Sequence, residues 1–269
     1  MFSMTERKIA TWNELNDVLF DDTWNPRIRR FRSTFAYRGV AEAQYKLENG
    51  LQRLGKPYPN MERNLLKQFK KYSQREVVER DTEWHWLSVA QHHGLPTRLL
   101  DWTYSPLVAL HFATADLDRH PNKAAAVWKV NYSQVHNFLQ RSETEILDKL
   151  GARIFSADAL AETIKDTDAL DRRSAPNYDV AVFFEPPAID DRIVNQFAYF
   201  SALSDPFLSF DDWLRMPHVK KVDAVKIIIP NNLKWEIRDK LDQSNINERV
   251  LMTGLDGLCT WLRRHYKPR

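Results

Sequence analysis

The chain has 269 residues and a formal net charge of +3, with 43% hydrophobic and 28% charged residues. These values are ordinary for a globular protein, and so small a net charge gives no argument for nucleic acid as a partner. No apolar run reaches the length of a membrane span, and residues 1–10 lack the apolar core of a signal peptide. We therefore expect a cytoplasmic protein with no membrane partner. The single Cys259 cannot form an internal disulfide and is expected to be a buried small hydrophobe.

Residues 1–30 are predicted to form an N-terminal helical extension. Thr11 and Glu14 have the spacing of a capping box, which predicts a helix from there to about Phe20. The segment that follows, residues 26–32, has the sequence Pro-Arg-Ile-Arg-Arg-Phe-Arg. Such a run either faces phosphate groups or forms a solvated edge whose apolar residues tuck inward. We favour the solvated edge.

Hydrophobic patterning predicts six strands in one mixed sheet with helices around it, which is an α+β fold. The strands are expected at residues 34–38, 97–101, 124–130, 180–185, 192–200 and 224–229. Capping residues predict helices that begin at Asn60, Asp81, Ser105, Asn232 and Asp256. Residues 40–59 are expected to be irregular, and Gly39 to end the first strand in a sharp turn. Residues 131–178 are polar and weakly patterned, so they are interpreted as an insertion packed on the sheet edge.

The most informative stretch is Thr97 to Trp102, an apolar run that carries two charges. If it is a strand, alternation places Arg98 and Asp101 on opposite faces, so they do not pair with each other. A buried charge needs a partner. We therefore expect Asp101 to hold Arg38 or a loop backbone, and Arg98 to hold another carboxylate. A buried Asp101 would be essential to the fold, whereas Arg38 in an open cleft would be dispensable for stability.

Several standard catalytic motifs are absent from the sequence. There is no glycine-rich phosphate loop, no Gly-x-Ser-x-Gly elbow and no Cys-x-x-Cys pair. His85 and His92 lie two helical turns apart, too far for one metal ion, so no metal site is predicted. The remaining polar candidates are Arg38, Thr97, Arg98, Asp101 and Gln196.

Four segments resemble the FRG domain family. Residues 37–39, Tyr-Arg-Gly, resemble the Phe-Arg-Gly triplet that names the family, and residues 93–102 match its His-Gly-Leu-Pro-Thr-Arg-Leu-Leu-Asp-Trp block. Residues 192–200 resemble its Arg-Ile…Gln-x-Gly-x-Phe strand, and residues 255–258 its closing Leu-Asp-Gly helix start. The departures are tyrosine for phenylalanine, alanine for glycine, and the lack of a proline before the closing segment. The resemblance implies a single FRG-type domain over residues 1–269.

The family layout is similar to the ADP-ribosyltransferase fold, which implies a mixed split β-sheet with surrounding helices. By position, this likeness implies a catalytic set of Arg38, Thr97 and Gln196. Because Gln196 has no carboxylate, Glu185 at the end of a neighbouring strand could supply the acid. The nucleotide, NAD as co-substrate, would be bound by Arg38, Thr97, Arg98 and Asp101.

Two functions follow from the resemblance. The first is a NAD-dependent ADP-ribosyltransferase or NAD glycohydrolase, a toxin or phage-defence effector that acts on a protein or nucleic-acid acceptor. The second is a catalytically silent nucleotide- or partner-binding domain. NAD cleavage passes through an oxocarbenium-like state that a carboxylate stabilises. A carboxylate within reach of the Arg38 pocket would therefore favour the enzyme.

Overall fold

The computed structural model describes residues 4–55, 60–73, 80–120 and 122–268. The fold is α+β, with one eight-stranded mixed sheet, a separate two-stranded ribbon and many surrounding helices. The strands are β1 Thr5–Lys8, β2 Trp24–Asn25, β3 Arg30–Phe31, β4 Phe35–Val40, β5 Leu100–Thr103, β6 Ala125–Asn131, β7 Phe155–Ser156, β8 Ala181–Glu185, β9 Ala198–Leu203 and β10 Ala224–Ile229. Within the described ranges no helix is long and apolar enough to cross a membrane.

Fourteen α-helices are present in the described part of the chain. They are α1 Trp12–Phe20, α2 Gly50–Arg53, α3 Met61–Tyr72, α4 Glu83–His92, α5 Pro106–Thr114, α6 Tyr132–Val135, α7 Arg141–Leu150, α8 Ala157–Thr163, α9 Thr167–Asp171, α10 Asp191–Asn195, α11 Phe210–Trp213, α12 Lys234–Gln243, α13 Glu248–Leu251 and α14 Leu255–His265.

The strand order of the main sheet is β1-β10-β6-β4-β5-β9-β8-β7. Both edge strands pair in parallel, β1 with β10 and β7 with β8, and all inner pairs are antiparallel. The junction of β4 with β5 is the weakest, because Tyr37 opposite Thr103 is its single register pair. On the other side, β4 pairs with β6 over six positions. The sheet is therefore continuous but opens at its centre.

Side chains of the sheet divide into two faces by strand alternation. One face carries a single apolar cluster that includes Trp102, Trp128 and Trp213. The opposite face carries two clusters, one around Trp84 beneath α4 and α8, the other around Tyr37 beneath α1, α5 and α12. The central opening of the sheet lies on the border between these two clusters.

Gly39 lies inside β4, so the predicted sharp turn at this residue is wrong. Its backbone is not left-handed, and the reason for glycine is close packing. A Cβ at this position would lie 2.0 Å from the carbonyl oxygen of Ala109 and 2.5 Å from the backbone nitrogen of Ala113. The absence of a side chain therefore lets α5 lie directly against β4.

Two of the predicted helix starts were confirmed in full. Thr11 and Glu14 form both bonds of the capping box at α1, and the Ser105 hydroxyl accepts from the N–H of Val108 at the start of α5. The strands predicted at 124–130, 180–185 and 224–229 are also present within one residue at each end.

Other predicted boundaries were wrong. The central strand begins at Leu100, so residues 97–99 precede it. Residues 191–195 form α10, because the Asp190 carboxylate accepts from the N–H of Ile193 and caps a helix. The predicted irregular stretch contains α2, while its residues 56–59 lie outside the described part of the chain.

Three predicted caps act differently. Asn60 precedes α3 in a left-handed conformation without a side-chain cap bond. Thr82 caps α4, and Asp81 instead accepts from the indole of Trp86. The residue before α12 is Leu233, with no side-chain cap bond there.

The N-terminal segment is more than a helical extension, because residues 5–8 form β1 in the main sheet. Residues 131–178 contribute α6 to α9 and the short edge strand β7. Cys259 is exposed on α14, so its predicted burial is wrong. The last helix begins at Leu255, one residue before the predicted Asp256.

Candidate functional site

A pocket of ≈ 350 Å³ lies where β4 and β5 separate, and we call it the central pocket. Its walls come from β4, β5, β9 and the ends of α4, α5 and α10. The lining includes Arg38, Gln91, Asp101, Phe112, Arg192 and Gln196. The volume lies at the lower end of the range for small-molecule sites.

The Arg38 side chain bridges the opening between the two strands. Its Nη1 atom donates to the backbone carbonyl of Asp101 and lies 3.6 Å from the Asp101 Oδ2 atom. The predicted pairing of these two residues is therefore confirmed. Their burial is the reverse of the prediction, because the Asp101 side chain is 58% exposed and that of Arg38 only 14%.

The electrostatics of Arg38 follow from this burial. Desolvation lowers the pKa of its guanidinium, Asp101 opposes that shift, and the nearby cation of Arg53 adds to it. Its Nε atom is buried and has no hydrogen-bond partner among the described residues. A buried donor without a partner is costly, so a ligand acceptor at this atom would be stabilised.

Asp101 is oriented by a short chain of hydrogen bonds. The amide nitrogen of Gln91 donates to both carboxylate oxygens, at 3.2 and 3.1 Å. The Thr97 hydroxyl donates to the amide oxygen of Gln91 at 2.7 Å and accepts from the N–H of Leu99 at 3.0 Å. Thr97 thus fixes which end of the amide faces Asp101, and Gln91 presents only donors to the carboxylate.

Thr97 itself is fully buried and does not line the central pocket. The predicted grouping of Arg38, Thr97 and Gln196 around one cleft is therefore only partly met. Arg38 and Gln196 line the pocket, and Thr97 reaches it through Gln91. Sequence reasoning missed Gln91, whose position at the last turn of α4 was the available signal.

Helix α10 forms another wall of the central pocket, and polar contacts hold both of its ends in place. The His92 Nε2 atom lies 2.7 Å from the Oδ2 atom of Asp190, the residue that caps this helix. At the other end, the Gln196 amide donates to the carbonyl of Leu251 at 2.9 Å. Gln196 therefore connects the wall to α13.

Arg98 lies outside the central pocket and serves the fold. It is 5% exposed, and its Nε atom lies 2.6 Å from the Glu62 Oε2 atom, while its Nη1 atom pairs with Asp171. The prediction that Arg98 holds another carboxylate is confirmed. Its predicted contact with a nucleotide has no support from this position, because Arg98 lines a different pocket, beside α3 and α9.

Glu185 also lies outside the central pocket. It ends β8, and its alternation with Phe184 places its side chain on the face opposite to Asp101, with Tyr199. Burial raises the pKa of this carboxyl, although the residue as a whole is exposed. The two acids therefore belong to different faces of the sheet.

Metal binding finds no support in the described residues, among which no group of three His, Cys, Asp or Glu side chains is placed to hold an ion. The pocket offers a different donor set. Its lining residues include the cations Arg38 and Arg192, the acid Asp101 and the aromatic residues Phe112 and Phe200. Such a set suits a ligand with phosphate, a polar ring and a centre that develops positive charge.

The fold is α+β, and the Arg38–Asp101 ion pair lies where the main sheet opens. Residues 33–122 match the profile of the FRG domain family, so the chain carries an FRG domain. Both Arg38 and Asp101 lie inside that segment, whereas Glu185 and Gln196 lie beyond it. Neither a curated protein nor a solved structure matches the chain.

Proposed function

We propose that this FRG domain has an ADP-ribosyltransferase-like layout and cleaves the bond between ribose and nicotinamide of NAD or a related nucleotide in the central pocket. The observation that carries the proposal is an accessible carboxylate held by a buried arginine at the opening of the sheet. Asp101 thereby takes the place that the sequence assigned to Glu185 or Gln196. The protein would act as an ADP-ribosyltransferase or as an NAD glycohydrolase.

The chemistry assigns one task to each charge. As the glycosidic C–N bond breaks, nicotinamide leaves with the bonding electrons and positive charge develops at the anomeric carbon. The Asp101 carboxylate stabilises that charge, and its two bonds from Gln91 hold it in one orientation. Arg38 and Arg192 offer donors for phosphate and ribose oxygens. Water or a macromolecular nucleophile then adds to the carbon and loses a proton.

The acceptor decides between the two reactions. With water the product is free ADP-ribose, and with a protein or nucleic acid it is a modified macromolecule. Either reaction in the cytoplasm consumes NAD or disables the acceptor, which fits a toxin or a phage-defence effector. The lining residue Phe112, which is partly exposed, would offer apolar surface to a nicotinamide ring.

A catalytically silent nucleotide-binding domain is the second candidate. It is favoured by the Arg38–Asp101 pair, because a carboxylate already paired with a cation is a weaker stabiliser of a second positive charge. Such a domain would bind the nucleotide without releasing nicotinamide.

The test is incubation of the purified protein with NAD, followed by mass spectrometry for free nicotinamide. We expect release by the wild type and a loss of about 100-fold or more in Asp101→Asn, which keeps the shape and removes the charge. Glu185→Gln is the matched control, since it neutralises an acid on the other face, and it should retain activity. Binding of NAD without release would favour the silent domain. An absence of both binding and release would overturn the proposal.

A further inference from the structure

The segment from Trp24 to Arg32, which we call the arginine ribbon, is largely exposed to solvent and is not part of the main sheet. It contains β2 and β3, which pair only with each other. Its arginines are exposed, and none forms an ion pair with another described residue: Arg27, Arg29, Arg30 and Arg32. Four cations on one small hairpin, none paired with an acid among the described residues, create a strong local positive field despite the low net charge of the chain.

The apolar residues of the ribbon are exposed as well. Trp24 is 50% exposed, Ile28 52% and Phe31 66%. The segment is a solvated edge, as the favoured sequence interpretation expected, but the expected inward packing of its apolar residues is wrong. Trp24 and Phe31 contact each other edge-on, with ring centroids 5.0 Å apart. Exposed aromatic rings next to arginines that have no acidic partner are typical of an interaction surface.

We propose that the arginine ribbon binds single-stranded nucleic acid. Guanidinium groups match phosphate oxygens bidentately, and exposed aromatic rings give unpaired bases a surface on which to stack. The register places Phe31 and its partner Trp24 on one side of the ribbon, while Arg30 and its partner Asn25 lie on the other. A strand of nucleic acid that crosses the ribbon edge contacts phosphate-binding and base-binding groups together.

The arrangement along the hairpin argues against a lipid surface. The pair next to the turn is Asn25 with Arg30, and the turn itself carries Arg27 and Arg29 on either side of Ile28. The aromatic pair lies at the base of the hairpin. For the rings to insert into a bilayer, the charged tip of the hairpin would have to enter the apolar region before them, which is unfavourable.

The use of arginine instead of lysine also favours nucleic acid over a lipid surface. Every basic residue between positions 9 and 45 is an arginine, and this segment contains no lysine and no histidine. Attraction to a charged membrane needs only point charges, which lysine supplies equally well, whereas the planar fork of arginine suits phosphodiesters and base stacking.

This binding surface goes beyond the proposed cleavage of NAD. None of the ribbon residues lines the central pocket. Nucleic-acid binding can therefore be measured without nicotinamide release, and either property can fail while the other holds.

The experiment measures fluorescence anisotropy of labelled single-stranded DNA and RNA of about 16 nucleotides, the upper end of a typical site. We expect the logarithm of the association constant to fall linearly with the logarithm of the salt concentration, with a slope of about −2.8 for four phosphate contacts. The double variant Arg27→Ala, Arg29→Ala should reduce that slope by about 1.4 and weaken binding at low salt. Lys220→Ala with Lys221→Ala removes the same charge from exposed residues elsewhere and should change neither.

A second pair of variants tests stacking. Phe31→Ala should weaken binding of the single strand at least about fivefold, while Tyr72→Ala, which removes an exposed ring from α3, should not. Circular dichroism establishes that each variant is folded. Absence of binding at low salt, equal affinity for duplex DNA, or preference for phosphatidylserine vesicles would each overturn the assignment.

Discussion

Arg38 Nη1 donates to the backbone carbonyl of Asp101, so a side chain of β4 takes over where the backbone pairing with β5 stops. The guanidinium of Arg38 therefore both bridges the gap between β4 and β5 and holds the Asp101 carboxylate of the central pocket. The structural and the chemical roles of Arg38 are therefore inseparable, whereas those of Asp101 can be separated by substitution.

The first prediction concerns the stability of these two residues and reverses the expectation from sequence. Arg38→Ala removes a buried side chain and leaves the Asp101 carbonyl without its donor, at a cost of about 1–3 kcal/mol. Asp101→Ala removes only a largely exposed side chain, at a cost of about 1 kcal/mol or less. Urea melts of both variants measure the difference. An Asp101→Ala variant less stable than Arg38→Ala would contradict this account of the opening.

The second prediction concerns the close approach of α5 to β4. Gly39→Ala places a Cβ 2.0 Å from the Ala109 carbonyl oxygen, so the helix must move, and we expect a loss of about 3 kcal/mol or more in unfolding free energy. Gly94→Ala is the matched control. Gly94 has a φ of 84° and open space around it, so its cost is confined to backbone conformation, about 1 kcal/mol. Equal losses in the two variants would show that helix packing is not what selects glycine at position 39.

Much of the fold could be predicted because its signals are local. The capping box at Thr11 and the largely apolar strands β6, β8 and β10 depend on residues adjacent in sequence. The segment before β5 could not be assigned in this way. Arg98 there is held by Glu62 and Asp171, which lie 36 and 73 residues away, and no periodicity reports such partners.

The candidate site was predicted in part for the same reason. Arg38 was found from its place beside Gly39, and its pairing with Asp101 followed from the need of a charge for a partner. The exposure of Asp101 was missed because it depends on the separation of β4 from β5, a long-range feature. Helix α10 was missed although Asp190 offered a local cap, because the family strand pattern was given more weight.

The third prediction is acid destabilisation through two buried histidines. Burial, reinforced by the neighbouring Arg238, lowers the pKa of His111 to about 3, and burial lowers that of His136 to about 4. Both side chains are thus neutral in the folded protein but take up a proton on unfolding below about pH 6.5. Stability is therefore present above that pH and falls as the pH drops, by about 1.4 kcal/mol per pH unit for each histidine.

Urea melts between pH 6.5 and about pH 5 measure this slope above the range in which most carboxylates take up protons. His111→Asn keeps an acceptor for Arg238, which donates to the His111 Nδ1 atom at 2.8 Å, and removes the titration. We expect it to lose about half of the slope. His265→Asn on the exposed face of α14 is the control and should keep the full slope. An unchanged slope in His111→Asn would contradict the assignment.

The last prediction tests whether the amide of Gln91 positions the Asp101 carboxylate for the proposed reaction. In the wild type the amide gives only donors to the carboxylate, because the Thr97 hydroxyl occupies its oxygen. Gln91→Glu keeps the size of the side chain but replaces these donors with a second acidic group about 3 Å from the carboxylate of Asp101. We therefore expect the rate of nicotinamide release to fall at least about tenfold, with little change in melting temperature. Gln91→Met removes the donors without adding an acid, so it should lower the rate less than Gln91→Glu does. A folded Gln91→Glu variant that releases nicotinamide at the wild-type rate would mean that Asp101 is not the carboxylate on which the rate depends.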